Sequence, residues 1–252
     1  MTFWFCMTFM VLLLSFCAGL LSPLIIVQRH GYIAHTISHL GVTIVLLRRI
    51  LPIPSLLLSP MMYLLFIMIC LDRDFGFVSM IGHLVISVVP LLGISQYYSY
   101  SYLFSYDITE YMMIILVLIL YILLITFYHR SLIQSYISKK ITISPAQVCY
   151  YTMLVIVSSL SFDLCGPMAG FILLIGPGSV ALNLVGNITN AMFFSGALSL
   201  ISTLLALPLY FSNSYADLGV GPIYALTIGI FYIISLIVKM YRHNYAKSLV
   251  QK

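Results

Sequence analysis

Two imidazole side chains, His35 and His39, lie in an otherwise apolar stretch. Ionisable side chains at membrane depth are costly and usually have a function. In a helix, positions four apart lie about 40° apart around the axis, so both rings would share one face. Two such rings can bind one divalent metal ion, and Thr36 and Ser38 lie beside them to orient the rings. The residue types alone leave a metal site and a packing role equally open.

The other histidines carry less information. His83 is a third imidazole in an apolar run, and it is either structural or a third metal ligand from a neighbouring helix. His30, His129 and His243 lie next to arginines at the ends of apolar runs, which favours interfacial positions. The five cysteines are scattered singly, without a C-x-x-C pair, and are interpreted as small buried hydrophobic side chains.

The composition indicates a membrane protein with many spans. Of 252 residues, 62% are hydrophobic and 7% are charged, whereas a soluble domain carries roughly 25% charged residues. The chain is therefore predicted to be a single all-helical transmembrane domain over residues 1–252, without a soluble catalytic domain. The net charge of +5 is concentrated in one central loop and the C-terminal region, so a nucleic-acid surface is not indicated.

Nine apolar runs are candidate membrane spans, and the second is short for a crossing of about 20 residues. The prediction is therefore eight or nine transmembrane segments in a helical bundle. The candidate runs are 3–27, 33–47, 52–71, 75–94, 111–128, 148–164, 168–184, 191–211 and 222–240.

The charges of the connecting segments predict an orientation. The loop at 129–140 and the region after Met240 are basic, so both are predicted to be cytoplasmic, together with the C-terminus. The tyrosine-rich stretch 95–107 is then external and suits the membrane–water interface. A helix is predicted to begin at Pro145, because Ser144 is a good cap and Gln147 follows three residues later.

Glycine and proline punctuate the second half of the chain. Gly166-Pro167, Gly176-Pro177-Gly178 and Gly221-Pro222 are the main examples. Close helix packing is the better interpretation for each glycine. Helices broken at membrane depth are the alternative.

The sequence contains none of the motifs that an intramembrane enzyme requires. It has no phosphate-binding glycine-rich loop, no H-E-x-x-H and no carboxylate pair on one helical face within an apolar run. We therefore expect no catalytic activity. Two readings remain on residue types alone: a transport subunit, and a hydrophobic subunit of an energy-converting complex that transfers protons or electrons.

Four stretches, in order along the chain, resemble segments of the membrane permeases of zinc, manganese and iron ABC importers. They are AGLLSPLIIVQRHGYIAHTISHLGV, DFGFVSMIGHLVISVVPLLG, CGPMAGFILLIGPGSVAL and YADLGVGPIYAL. Pro177, Ala181, Asp217, Gly221 and Pro222 are in register with the family pattern. The set is fairly specific and spans nearly the whole chain.

The resemblance implies an inner-membrane, multi-pass importer subunit with no permanently bound cofactor. Its partners would be two ATP-binding cassette subunits, which hydrolyse ATP, an extracytoplasmic metal-binding protein and a second permease copy. In the family an early helix supplies an Asp and a His to the ion pathway, and these positions fall on His35 and His39. His39 matches, whereas His35 replaces the carboxylate. A more nitrogen-rich site suits zinc better than manganese, so zinc is the expected cargo.

The cytoplasmic loop departs from the family pattern, because it is short and basic. From its position and charge, the segment 136–147 is expected to contact the ATPase. The expected contact residues are Lys139, Lys140, Ser144, Pro145 and Gln147.

Overall fold

The computed structural model describes residues 2–28, 30, 108–137, 145–165, 167–211 and 220–250, and these residues form six helices. We number the helices in chain order. They are α1 (Thr2–Val27), α2 (Ile108–Ile137), α3 (Pro145–Cys165), α4 (Pro167–Leu184), α5 (Ile188–Phe211) and α6 (Val220–Val250).

Each predicted span that falls within these ranges is helical, which confirms the helical class for this part of the chain. Five of the six helices are long and apolar enough to cross a membrane, and α4 contains a shorter apolar segment, Ala169–Leu184. The predicted spans 33–47, 52–71 and 75–94 lie outside the described residues. The start of α3 at Pro145 agrees with the predicted capping pattern.

Contacts between helix ends show that α1 and α2 run in the same direction and that the helices from α2 to α6 alternate in direction. His30, just after α1, meets Tyr150 near the start of α3, and Arg242 of α6 meets the end of α4 at Leu184. At the other end of the bundle, Phe3 of α1 contacts Tyr111 at the start of α2. The first group of ends is called the basic end below, because it carries Arg130, Lys239 and Arg242.

The predicted orientation is consistent with this arrangement in one respect. The loop 129–140 and the region after Met240 were assigned to the same side, and the start of α3, which follows this loop, and the far half of α6 do lie at one end of the bundle. Glu110 lies at the opposite end, in the first turn of α2. That the basic end is cytoplasmic stays a prediction.

Helix α1 is the centre of the described bundle. It packs against α2, α3, α4 and α5, and 72% of its spanning segment is buried. The helix is apolar on all sides, as expected for one surrounded by other helices. Its buried side chains include Met7, Met10, Leu14 and Leu21.

Glycines allow the backbones of neighbouring helices to approach closely, as the sequence predicted. A Cβ atom on Gly178 of α4 would lie 2.5 Å from the backbone of Ser22 in α1. A Cβ atom on Gly221 of α6 would lie 2.7 Å from the carbonyl oxygen of Cys165 in α3. Small residues at such crossings are the usual basis of helix association in membranes.

The alternative of a helix broken at Gly176-Pro177-Gly178 is wrong, because α4 is continuous through Pro177. Proline inside a helix disturbs the local hydrogen-bond ladder. The backbone N–H of Gly178, the residue after Pro177, donates to Ser22 Oγ at 2.8 Å. A side chain of α1 thus supplies an acceptor at the point where α4 contains its proline.

The prediction that the cysteines are small buried side chains is fully confirmed for one residue. Cys17 of α1 is completely buried. Cys6, Cys149 and Cys165 are partly exposed, and the four are free thiols. Cys70 lies outside the described residues.

Candidate functional site

The predicted metal-binding residues His35, His39 and His83 lie outside the described residues, so this site stays a prediction. Within the described ranges, no group of three or more histidine, cysteine or acidic side chains could hold a metal ion. What the structure does describe is the support for the helix that leads into His35 and His39. That support consists of contacts at the end of α1 and a hydroxyl cluster in its middle.

The end of α1 is attached to the first turns of α3 through His30. The His30 Nδ1 atom and the Tyr150 hydroxyl lie 3.3 Å apart and share a hydrogen bond. The imidazole also contacts the rings of Tyr150 and Tyr151, with centroids 5.9 and 5.7 Å away. Burial lowers the pKa of His30 to about 4, so the ring is neutral at physiological pH. His30 is therefore more enclosed than the predicted interfacial position implies.

His129 behaves as an interfacial residue. It lies near the basic end of α2, where its Nδ1 atom is 2.8 Å from the carbonyl oxygen of Thr126. Its ring contacts the edge of Phe193 in α5, with centroids 6.3 Å apart. The side chain of His243 lies outside the described residues.

The predicted ATPase-contact segment, 136–147, is described at its two ends, where α2 finishes and α3 begins. Pro145 and Gln147 form the first turn of α3 at the basic end of the bundle. Pro145 is exposed and Gln147 is partly buried. Lys139, Lys140 and Ser144 lie outside the described residues. A contact with an ATPase therefore stays a prediction.

A cluster of four hydroxyl groups joins α1, α5 and α6 in the middle of the bundle. Ser15 Oγ of α1 lies 2.8 Å from Ser199 Oγ of α5, which in turn lies 2.8 Å from the Tyr224 hydroxyl of α6. Thr203 Oγ1 donates to Ser15 Oγ at 2.5 Å. All four residues are buried. We call these residues the hydroxyl cluster.

The backbone of α5 also takes part in the hydroxyl cluster. The carbonyl oxygen of Ser199 accepts hydrogen bonds from Ser15 Oγ at 2.9 Å and from Thr203 Oγ1 at 3.0 Å. A small cavity of about 10 Å³ adjoins Ser15, Thr203 and Tyr224, which is room for roughly one water molecule. The cluster is satisfied within itself and is a structural link between three helices.

Residue spacing could have revealed the hydroxyl cluster. Ser195, Ser199 and Thr203 follow one another at intervals of four, which places them on one face of α5. Ser15 and Gly19 have the same spacing on α1. Small and hydroxyl side chains at this interval are typical of contacts between membrane helices. The glycine contacts were predicted from the sequence, whereas the serine contacts were not.

A second polar contact fixes the end of α4 to α6. Lys239 Nζ donates to Asn183 Oδ1 at 2.9 Å, and Arg242 donates to the carbonyl oxygen of Leu184 at 2.8 Å. Asn183 also donates to Ser235 Oγ at 3.3 Å. The last carbonyl groups of a helix lack partners within the helix and attract cations. We call Asn183, Leu184, Ser235, Lys239 and Arg242 the α4–α6 clamp.

Comparison with known proteins identifies the fold. A scan against protein-family models finds no match, and no curated protein matches the chain. A solved structure of PsaBC from Streptococcus pneumoniae in complex with Fab is similar, with a TM-score of 0.76 at 17% sequence identity. The alignment covers 92% of this chain and 90% of that chain.

The structural likeness confirms the resemblance found in the sequence at the level of the fold. The alignment extends over nearly the whole of both chains, as the four ordered sequence segments do. The apolar helices make the protein a multi-pass membrane protein. The chain therefore has the fold of a metal ABC transporter permease.

Proposed function

We propose that the protein is the transmembrane subunit of an ABC importer for divalent metal ions. The observation that carries this proposal is the fold likeness to PsaBC over 92% of the chain. The ordered sequence segments and the paired histidines support it independently. Together they favour metal transport over the alternative of a subunit that transfers protons or electrons.

In this proposal His35 and His39 contact the ion on its way through the bundle, and His83 is a third candidate ligand. The hydroxyl cluster and the His30 contact hold α1, which directly precedes the paired histidines. Two imidazoles form a softer, more nitrogen-rich site than a carboxylate and an imidazole. Zinc is therefore the proposed cargo. A transport site must bind weakly enough to release its ion.

The partners are proposed by position. ATP-binding cassette subunits would bind at the basic end, where α3 begins with Pro145 and Gln147; Lys139 and Lys140 precede this helix in the sequence. An extracytoplasmic metal-binding protein would deliver ions at the opposite end. A second copy of the chain would complete the permease, and ATP would be hydrolysed by the partner subunits alone.

Uptake into proteoliposomes tests the function. The chain is reconstituted with its ATPase and metal-binding protein, and the uptake of radiolabelled zinc, manganese and iron is measured with and without ATP. We expect ATP-dependent zinc uptake that His39→Ala abolishes and His35→Ala strongly reduces. Thr126→Ala is a matched control, because this exposed hydroxyl donates to the carbonyl oxygen of Ile122 in its own helix. Unchanged zinc uptake in both histidine variants would refute the proposed site.

The cargo is tested by restoring the carboxylate. His35→Asp introduces the hard oxygen ligand of the family pattern, so we expect relative uptake to shift from zinc towards manganese. The ratio of the two initial uptake rates is the measurement. A ratio equal to that of the unaltered protein would show that His35 does not select the ion.

The ATPase contact is tested by charge reversal. Lys139→Glu combined with Lys140→Glu is expected to weaken capture of the ATPase subunit in a pull-down. Arg130→Glu is the control, since this exposed residue lies on α2, outside the proposed contact segment. Undiminished capture and uptake by the double variant would count against the assignment.

A further inference from the structure

The α4–α6 clamp lies at the level where two apolar segments end. The apolar segment of α4 is Ala169–Leu184, and the spanning segment of α6 is Gly221–Arg242. Their last residues meet directly, because Arg242 donates to the carbonyl oxygen of Leu184 at 2.8 Å. The 22 residues of the α6 segment extend about 33 Å, which is close to a hydrocarbon thickness of about 30 Å. The clamp therefore lies at the depth of the lipid headgroups.

Two cationic side chains are held at this depth by uncharged partners. Lys239 Nζ donates to Asn183 Oδ1 at 2.9 Å, and Arg242 donates to the carbonyl oxygen of Leu184. Each of these hydrogen bonds joins a cation to a neutral acceptor, so it fixes the position of the side chain and keeps its positive charge. An ammonium group has three N–H donors and a guanidinium group has five, so each contact uses one donor of a larger set. Both side chains are exposed.

An exposed apolar strip on α6 leads to Lys239. Tyr232, Leu236 and Met240 follow one another at intervals of four, which places them on one ridge of the helix. Their exposed fractions are 40%, 37% and 66%. Leu236 lies three positions before Lys239 and is its neighbour on the helix surface. An apolar strip that ends at a cation matches a phospholipid, in which an acyl chain leads to a charged headgroup.

An interfacial aromatic residue supports the same depth. Tyr241 lies between Met240 and Arg242, and 72% of its surface is exposed. Tyrosine is enriched at the boundary between membrane and water, because its ring is apolar and its hydroxyl group is polar. The cations of the clamp thus lie where phosphate groups of the bilayer are within reach.

The charges select the class of lipid. A guanidinium group matches the geometry of phosphate oxygens, and an ammonium group attracts phosphate as a point charge. A lipid with a net negative charge gains from both Lys239 and Arg242. A zwitterionic lipid such as phosphatidylcholine would bring its own cationic group towards them. The pair therefore favours an anionic phospholipid.

An acidic surface of a soluble partner is the alternative ligand for the two cations. Arg242 is the last residue of the spanning segment, whereas α6 continues to Val250. These eight further residues extend about 12 Å past Arg242, so a soluble partner would first meet the helix beyond the clamp. The depth of the two cations thus favours a lipid.

We propose that the α4–α6 clamp is a binding site for one anionic phospholipid. The phosphate group binds Lys239 and Arg242, and an acyl chain lies along Tyr232 and Leu236. The bound lipid thereby adds to the contacts that hold the end of α4 against α6. This inference goes beyond the proposed function and does not depend on which ion the protein transports.

Native mass spectrometry of the full chain in detergent tests the proposal. The delipidated protein is titrated with phosphatidylglycerol and, separately, with phosphatidylcholine of the same acyl chains. A basic residue near anionic lipid strengthens binding about fivefold, so the two together should give phosphatidylglycerol an advantage of about 25-fold. Lys239→Gln combined with Arg242→Gln should remove this advantage, whereas Lys239→Arg combined with Arg242→Lys should keep most of it. Arg130→Gln is the matched control, because Arg130 is an exposed cation near the same end of the bundle.

Four results would overturn the proposal. Equal affinity of the unaltered protein for both lipids would remove the charge selection, and an unchanged advantage in the double glutamine variant would remove the location. Displacement of the lipid by an equal concentration of glycerol 3-phosphate would show a site for a free phosphate group. Reduced capture of the ATPase subunit by the double glutamine variant, with its lipid preference intact, would assign the cations to a protein partner. Should this variant fail to fold, Lys239→Gln alone carries the test, with an expected loss of about fivefold.

Discussion

Helices α2 and α6 both lie at the outside of the described bundle, yet they are attached by different means. Only 33% of the spanning segment of α2 and 28% of that of α6 are buried. Helix α6 nevertheless makes hydrogen bonds through Tyr224, Lys239 and Arg242, and Gly221 brings its backbone against α3. The side chains that α2 buries among the described residues are large and apolar. Two helices with similar buried fractions can therefore meet the described bundle through different kinds of contact.

The largest expected effect concerns the close approach of α6 to α3. In Gly221→Val a Cβ atom would collide with Ala169 and with the carbonyl oxygen of Cys165, so we expect a destabilisation of about 3 kcal/mol or loss of the folded protein. Gly229→Val on the same helix is the matched control, because a Cβ atom there meets nothing within 4 Å. Thermal unfolding in detergent measures both variants. Equal melting temperatures of the two variants would show that the close approach of α6 to α3 at Gly221 does not stabilise the protein.

The next effect concerns the hydroxyl cluster. Ser199→Ala removes the hydroxyl oxygen that bonds to both Ser15 and Tyr224, which should cost about 1–2 kcal/mol. Tyr224→Phe should cost less, because Ser199 keeps its contact with Ser15. Denaturant titration in mixed micelles gives the free energies of unfolding. A loss as large for Thr126→Ala on α2 would show that hydroxyl groups do not distinguish the two helices.

The attachment of α3 through His30 predicts a dependence on pH. Burial lowers the pKa of His30 from 6.5 to about 4, so between these values the unfolded chain binds a proton that the folded chain does not. The stability present above pH 6.5 should therefore fall as the pH drops towards 4. His30→Gln should reduce this loss, and the difference between the two proteins in melting temperature against pH isolates the histidine. Parallel curves would contradict the buried position of His30.

The smallest effect concerns the α4–α6 clamp. Arg242→Gln removes the guanidinium group from the carbonyl oxygen of Leu184, and a cation at a helix end contributes roughly 0.3–1 kcal/mol. Arg130→Gln on α2 provides the comparison, since Arg130 is an exposed residue near the same end of the bundle. Unfolding at low and high salt measures both variants. A salt-dependent loss confined to Arg242→Gln would confirm that α6 is clamped.

The helices were predictable because their physical signals are local. Apolar runs of spanning length predicted every described helix, and Pro145 correctly predicted the start of α3. The extent of α2 and α6 beyond the membrane was not predicted, because hydropathy registers where a helix leaves lipid and not where it ends. Helix α6 continues to Val250, ten residues past the predicted end of the span.

The contacts that fix the helices were less accessible to sequence reasoning. Ser15 and Ser199 are 184 positions apart, and each is an ordinary serine in an apolar run. Only the four-residue spacing of Ser195, Ser199 and Thr203 indicates a shared face. The enclosure of His30 depends on tyrosines 120 positions away. The proposed role of His35, His39 and His83 in binding the ion rests on the sequence and on the fold likeness to PsaBC.

The α4–α6 clamp also has a consequence for biogenesis. Positive charges beside a hydrophobic segment set the direction in which it inserts into the membrane. Lys239 and Arg242 are such charges for α6, and they are also the groups that bind the end of α4. A copy of α6 inserted in the reverse direction would carry both cations to the wrong side of the bilayer, far from the carbonyl group of Leu184. The insertion of α6 and its packing against α4 thus depend on the same two side chains. A copy of α6 inserted in the reverse direction could not make these contacts with α4.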